Sequence, residues 1–138
     1  MQAYFGYGSN MDAAQMRERC PGAKFRAIAV LPDYRLFITS DGFATVIPDP
    51  GRRVMGALWL LGDSDEAALD RYEDIGSGLY RREYVGVHSQ GQVVEALIYV
   101  AANVNPGTPR PGYLELVVAA ARNLGLPADY IRELQQTA

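Results

Sequence analysis

One cysteine, Cys20, and one histidine, His88, are all the chain holds of two residue types that carry much protein chemistry. A lone thiol excludes an intrachain disulfide, and one thiol with one imidazole cannot build a Cys/His metal cage. Long hydrophobic runs are missing too: none nears the ~18 residues of a membrane-spanning helix, so no membrane partner is expected. Nor is there an excess of basic charge. Lys and Arg number 13 against 16 Asp and Glu, a formal net charge of -3, and the basic residues are scattered, which argues against nucleic acid as a partner. The first residues lack the charged stretch and apolar core of a secretory signal, and the expected compartment is the cytoplasm.

The remaining composition, 49% hydrophobic and 21% charged over 138 residues, is that of a globular domain with a true core. With no composition break, repeat or low-complexity tract, we read one domain over 1–138. A first strand over 2–7, closed by Gly8, leads to a helix through "MDAAQMRER" that Ser9 or Asn10 can cap and Cys20-Pro21-Gly22 stops. Strands follow at 23–31, 34–39, 43–47 and 54–60, each bounded by Pro, Gly or Asp. Asp63 and Glu66 have capping-box spacing ahead of a helix carrying "AALDRYEDI" to near Gly76. Strands 80–88 and 93–100 flank the turn "SQGQ". After the Pro-rich "NPGTPRPG" come a helix over 113–124 ended by Gly125 and a last helix begun by Pro127. Strands and helices do not alternate, so the class is α+β, a small mixed sheet curled toward a barrel and flanked by helices.

Two stretches carry chemistry. The first is "YFGYGSNM" over 4–11, where glycines let the backbone turn sharply and let another group come close. The first N–H groups of a following helix point outward with its positive dipole end, which makes an anion seat. Ser9 and Asn10 can cap that helix or donate to a ligand oxygen; the plain alternative is a strand-to-helix turn with a good N-cap. Gly6 and Gly8 lack the third glycine of a dinucleotide fingerprint, and no "GK[ST]" exists for a phosphate loop.

The second stretch is "LDRYEDIGSGLYRREYV" over 69–85. On a helix Glu73 stacks one turn after Leu69, and Asp74 one turn after Asp70, so Glu73 is expected to face inward while Asp70 and Asp74 face solvent. The helix C-terminus and partial burial both disfavour a charged carboxylate, so the pKa of Glu73 should be raised, as suits a group that takes and returns a proton. A surface glutamate at a helix end is the bland alternative. Tyr80, Tyr99 and Tyr113 could line a pocket with their hydroxyls, although in a chain with 9 tyrosines most serve the core or its rim. His88 precedes a turn and should be exposed, and Cys20 has no histidine near it in sequence, so neither is read as catalytic.

Taken in order, "YFGYGSNM", "ATVIPDPGRRVMGALWLL", "LDRYEDIGSGLY" and "GYLELVVAAARNLGLPADYIREL" resemble the gamma-glutamylcyclotransferase family over nearly the whole chain. "YGSN" alone is only moderately specific; the joint pattern is far more so. The resemblance implies a barrel-like α+β fold with a cavity beside the first loop. It matches Tyr7, Gly8, Ser9 and Asn10 to a substrate-binding loop and Glu73 to the general acid/base. Tyr113 falls at a pocket tyrosine of the family, with Tyr80 and Tyr99 assisting. Asp74 stands where family members often carry glycine.

The implied reaction closes a γ-glutamyl amide on itself. The α-amino group attacks the γ-carbonyl, forming 5-oxoproline and expelling an amine or amino acid. A carboxylate can free the attacking amine of its proton and then protonate the leaving amine. Nucleophile and electrophile belong to one molecule, so neither metal nor organic cofactor is expected. The implied partner is a small γ-glutamyl substrate, and a homodimer is left open. The competing reading is a non-catalytic module whose "YGSN" loop holds a carboxylate while Glu73 pairs with an amine.

Overall fold

The computed structural model describes residues 1–73 and 75–137. Strand β1 (Gln2–Gly6) runs into a 3-10 turn (Ser9–Met11) and helix α1 (Ala13–Arg19). Strands β2 (Lys24–Ile38) and β3 (Ala44–Leu61) follow, then α2 (Asp63–Tyr72) and a second 3-10 turn (Ile75–Ser77). Strands β4 (Tyr80–Ser89) and β5 (Gln92–Ala101) precede helices α3 (Tyr113–Leu124) and α4 (Ala128–Gln135). The strands close a barrel in the order β1-β3-β2-β4-β5. All pairs are antiparallel except β1 with β5, which meet at Tyr4 and Leu97. The sheet is therefore mixed, and the expected α+β barrel is the fold that forms.

Three local expectations are corrected. The four short strands before α2 are two long ones. Pro32-Asp33 and "PDPG" do not end them but form a bulge, across which the register passes from Pro32 opposite Arg53 to Tyr34 opposite Pro48. Proline cannot donate to a ladder but is tolerated at a bulge. Here Asp33 Oδ1 accepts the Gly51 N–H at 3.0 Å in place of a ladder carbonyl, so pairing resumes on both sides. Neither Ser9 nor Asn10 caps α1. The extended backbone of Asp12 separates their 3-10 turn from the helix, and Asp12 Oδ2 accepts the Gln15 N–H at 3.3 Å. The start of α2 lies one residue earlier than the Asp63 and Glu66 spacing suggests. Gly62 is its N-cap, and buried Asp65 accepts the Gly62 N–H at 3.0 Å. Glycine has no side chain to complete a box, so only half the reciprocal pair exists. Asp65 also takes the Gly22 N–H at 3.2 Å, tying α2 to the turn after α1; that second partner selects Asp65.

On the two faces of the sheet Phe5, Leu31, Val54, Leu58, Leu97 and Ile98 are sealed from solvent, and Val117, Ala121 and Leu134 bring α3 and α4 onto the same core. The β4–β5 hairpin turns through Gln90 and Gly91, both with positive φ, as a two-residue turn matched to strand twist requires. At Gly56 the backbones of β1 and β3 come so close that a Cβ would sit 2.3 Å from the Gly6 carbonyl oxygen. This approach fixes where the chain leaves β1, and so where residues 7–10 lie. Among the described residues no helix is long and apolar enough to cross a membrane.

Candidate active site

A cavity of about 240 Å³ opens beside the end of β1. All eight residues singled out in the sequence line it: Tyr7, Gly8, Ser9, Asn10, Glu73, Tyr80, Tyr99 and Tyr113. They come from the first loop, the end of α2, β4, β5 and the start of α3, so closure of the barrel is what assembles them. Sequence reasoning missed Tyr4, Phe43, Ala44, Tyr72 and Leu79, which share the wall. Tyr72 could have been found from its place three residues after Leu69 on α2. Ala44 could not, because its contribution is backbone alone.

Ala44 organises two tyrosines. Its carbonyl accepts from the Tyr80 hydroxyl at 3.0 Å, and its N–H donates to the Tyr113 hydroxyl at 3.3 Å. The Tyr7 hydroxyl donates to the Tyr99 carbonyl, and the Tyr99 hydroxyl donates to Asp70 Oδ1 at 2.6 Å. Tyr7, Tyr80 and Tyr99 thus spend their protons on the protein while lining the cavity. Tyr113 differs: its oxygen accepts from Ala44, which leaves its own proton for a ligand. Burial pushes the Tyr113 phenol up to about 12 and raises Tyr4, Tyr7, Tyr80 and Tyr99 as well, so these rings stay neutral.

Glu73 is the residue at which α2 ends, its N–H donating to the Leu69 carbonyl at 2.8 Å. Leu69 is fully buried, and the one-turn spacing turns Glu73 inward as expected. Burial raises the Glu73 carboxyl to about 7, against the opposing pull of the Arg19 cation. Asp70, expected in solvent, is half-buried. It accepts from Tyr99 and from Arg82 of β4 at 2.9 Å, and Arg82 also grips Glu66 at 2.5 Å. Asp74 lies outside the described residues, so its expected orientation has no counterpart here. His88 is exposed on β4. Cys20 is buried with its Sγ 3.6 Å from the Asp65 carbonyl, and burial raises its thiol to about 11, which leaves it a poor nucleophile. Among the described residues no group of three or more His, Cys, Asp or Glu could hold a metal ion.

The raised carboxyl has a consequence for stability. A glutamate at about 7 when folded and near 4.3 when unfolded keeps its proton longer in the folded state. The stability this contributes is full below the unfolded value and is lost as pH rises through about 7. Glu73→Gln, which cannot ionise, should therefore stabilise the fold at pH 8 by roughly 1–2 kcal/mol once partial solvent screening is allowed for. The gain should vanish near pH 4. Urea denaturation of both proteins at the two pH values checks this, and equal stability at pH 8 would contradict it.

The sequence pattern of the AIG2-like family matches residues 53–134. The gamma-glutamylcyclotransferase of Bos taurus is 32% identical to this chain over 142 residues, covering 95% of this chain and 76% of its own length. The Homo sapiens gamma-glutamylcyclotransferase is 31% identical over 143 residues, covering 96% and 76% respectively. A solved structure of a gamma-glutamyl cyclotransferase superposes with a TM-score of 0.90 at 30% identity, over 97% of this chain and 86% of that one.

Proposed function

The chain belongs to the gamma-glutamylcyclotransferase family and is an enzyme of that kind, and we propose that its cavity cyclises a γ-glutamyl amide to 5-oxoproline, with Glu73 as general acid/base. The observation that carries this reading is a single carboxyl near neutrality in an aromatic wall beside the 8–10 loop. A base with a pKa near the working pH combines a useful ionised fraction with the capacity to give the proton back.

The steps follow from that group. Ionised Glu73 takes a proton from the substrate's α-amino group. The freed nitrogen attacks the γ-carbonyl, whose oxygen gains negative charge. The proton on Glu73 then passes to the departing nitrogen as the C–N bond breaks, and the second proton of the attacking nitrogen follows by way of the same carboxylate. The lactam nitrogen so keeps one hydrogen, the amine leaves as its ammonium ion and Glu73 returns to its ionised state. The side chain of Asn10 is committed to the protein, its Nδ2 donating to Tyr4 at 2.7 Å and its Oδ1 accepting from Arg19, while its carbonyl accepts from Trp59 at 3.0 Å. Ligand contact from this loop therefore falls to the Ser9 hydroxyl, which accepts from Arg19 and keeps its own proton, and to the N–H groups that open the 3-10 turn, where helical geometry provides no carbonyl partner. They can hold the developing oxyanion or the substrate's α-carboxylate. Tyr113 supplies a further donor. A buried free thiol fits a reducing compartment, which supports a cytoplasmic location.

The test is incubation of the purified protein with several γ-glutamyl amides and detection of 5-oxoproline by mass spectrometry; no product from any of them would sink the reading. Turnover should persist after exhaustive chelation. Cys20→Ser should keep parent activity while losing about 1 kcal/mol of stability in thermal unfolding, because the thiol's part is to pack and to donate weakly to the Asp65 carbonyl. Loss of turnover in that variant while it remains folded would give Cys20 a role denied to it here.

A further inference from the structure

We propose that Arg19 is a positioning residue that locks the Ser9–Asn10 turn to the end of α2 and supplies the positive charge that keeps Glu73 competent as a base. The proposal rests on the acid/base reading of Glu73. Arg19, the last residue of α1, turns its guanidinium back toward the loop. Its Nη1 donates to Ser9 Oγ at 3.3 Å and to Asn10 Oδ1, and its Nη2 donates to Gln15 Oε1. The same planar group lies over the Tyr72 ring, 3.8 Å from Cζ to centroid. Tyr72 immediately precedes Glu73, so one side chain ties the substrate loop to the backbone that presents the carboxyl.

Only a flat, multidonor cation can make both contacts at once. The fork needs several N–H groups in one plane, and the stack needs that plane against an aromatic face. The charge matters because of what else faces Glu73. Tyr4 and Tyr7 approach from β1 and the loop, Tyr72 from α2, Tyr80 from β4 and Tyr113 from α3. Tyr4, Tyr7, Tyr80 and Tyr113 are held neutral by burial. Asp70, one helical turn earlier, is neutralised by Arg82. Arg19 is thus the charged group acting on Glu73 among the described residues, and it opposes the burial that would otherwise keep the carboxyl protonated.

Two full-length variants separate the roles. Arg19→Lys keeps the charge and loses the fork and the stack; Arg19→Met loses all three. Carbon-13 NMR titration of the Glu73 carboxyl, assigned with Glu73→Gln, should show the midpoint about one pH unit higher in Arg19→Met and near the parent value in Arg19→Lys. Affinity for 5-oxoproline, measured by calorimetry, should fall about 10-fold in both variants, the size of a lost hydrogen-bonded clamp. In turnover assays the acidic limb of kcat/KM should follow the NMR midpoint. A parent-like midpoint in folded Arg19→Met, or parent-like affinity in Arg19→Lys, overturns the proposal. If Arg19→Met fails to fold, the affinity of Arg19→Lys decides alone. Failure of the parent to make 5-oxoproline would remove the assigned reaction, while the titration would still judge the role of Arg19.

Discussion

Glu73→Gln should cut turnover of a γ-glutamyl amide by about 10²–10⁴-fold, toward or beyond the upper end because one residue acts as both base and acid. The substitution keeps the size of the side chain and much of its hydrogen bonding, so affinity for 5-oxoproline should change little. The loss should appear in kcat rather than KM, since the proton transfers belong to the transition state and not to the ground-state complex. In the parent, kcat/KM should rise with pH through about 7, as Glu73 ionises. Glu95→Gln, at an exposed position of β5, is the control and should retain parent activity. Near-parent rates from Glu73→Gln in a single-turnover assay would remove it from the chemistry and return the cavity to the binding-module reading.

Gly8→Val should abolish ligand binding, at least ~10–100-fold by calorimetry, the equivalent of 1–3 kcal/mol of overpacking. The cause is space. The Gly8 backbone has φ -118°, outside the left-handed region, so the strain that a positive φ would impose does not arise. A Cβ at Gly8 would instead meet the Tyr113 hydroxyl at 3.1 Å, and valine adds two methyl groups beyond it. They must either displace the ring that carries the free donor or occupy the cavity mouth. Gly8→Ala, with only the Cβ, should show a smaller loss. Parent affinity in Gly8→Val would mean that the loop is a connection and that the ligand binds elsewhere.

Much of this was legible in the chain itself. The β-rich runs and the absence of βα alternation led to an α+β barrel, and the family resemblance pointed to eight of the residues that line the cavity while missing Tyr4, Phe43, Ala44, Tyr72 and Leu79. Glu73 was readable because helical spacing is local: one turn after a buried leucine must face the same way, and a carboxyl buried there must resist ionisation. Capping was not readable to the residue: Asp12 caps by an ordinary local contact with Gln15, but only after the Ser9–Met11 turn has separated Ser9 and Asn10 from the helix, and Asp65 was selected by Gly22 from a remote loop. The length of β2 and β3 was hidden in the same way. Pro and Gly end a strand by local rule, and only the pairing of Asp33 with Gly51 across the sheet lets two strands continue through them. Tertiary structure alone decided which hydroxyls are free. Tyr7, Tyr80 and Tyr99 donate to Tyr99, Ala44 and Asp70, contacts spanning 92, 36 and 29 residues of chain, and Tyr113 is left with a proton to offer because it accepts from a backbone amide 69 residues away. Hydrogen-bond partners are set by distance in space, and for these side chains the sequence neighbourhood contains none of the atoms that satisfy them.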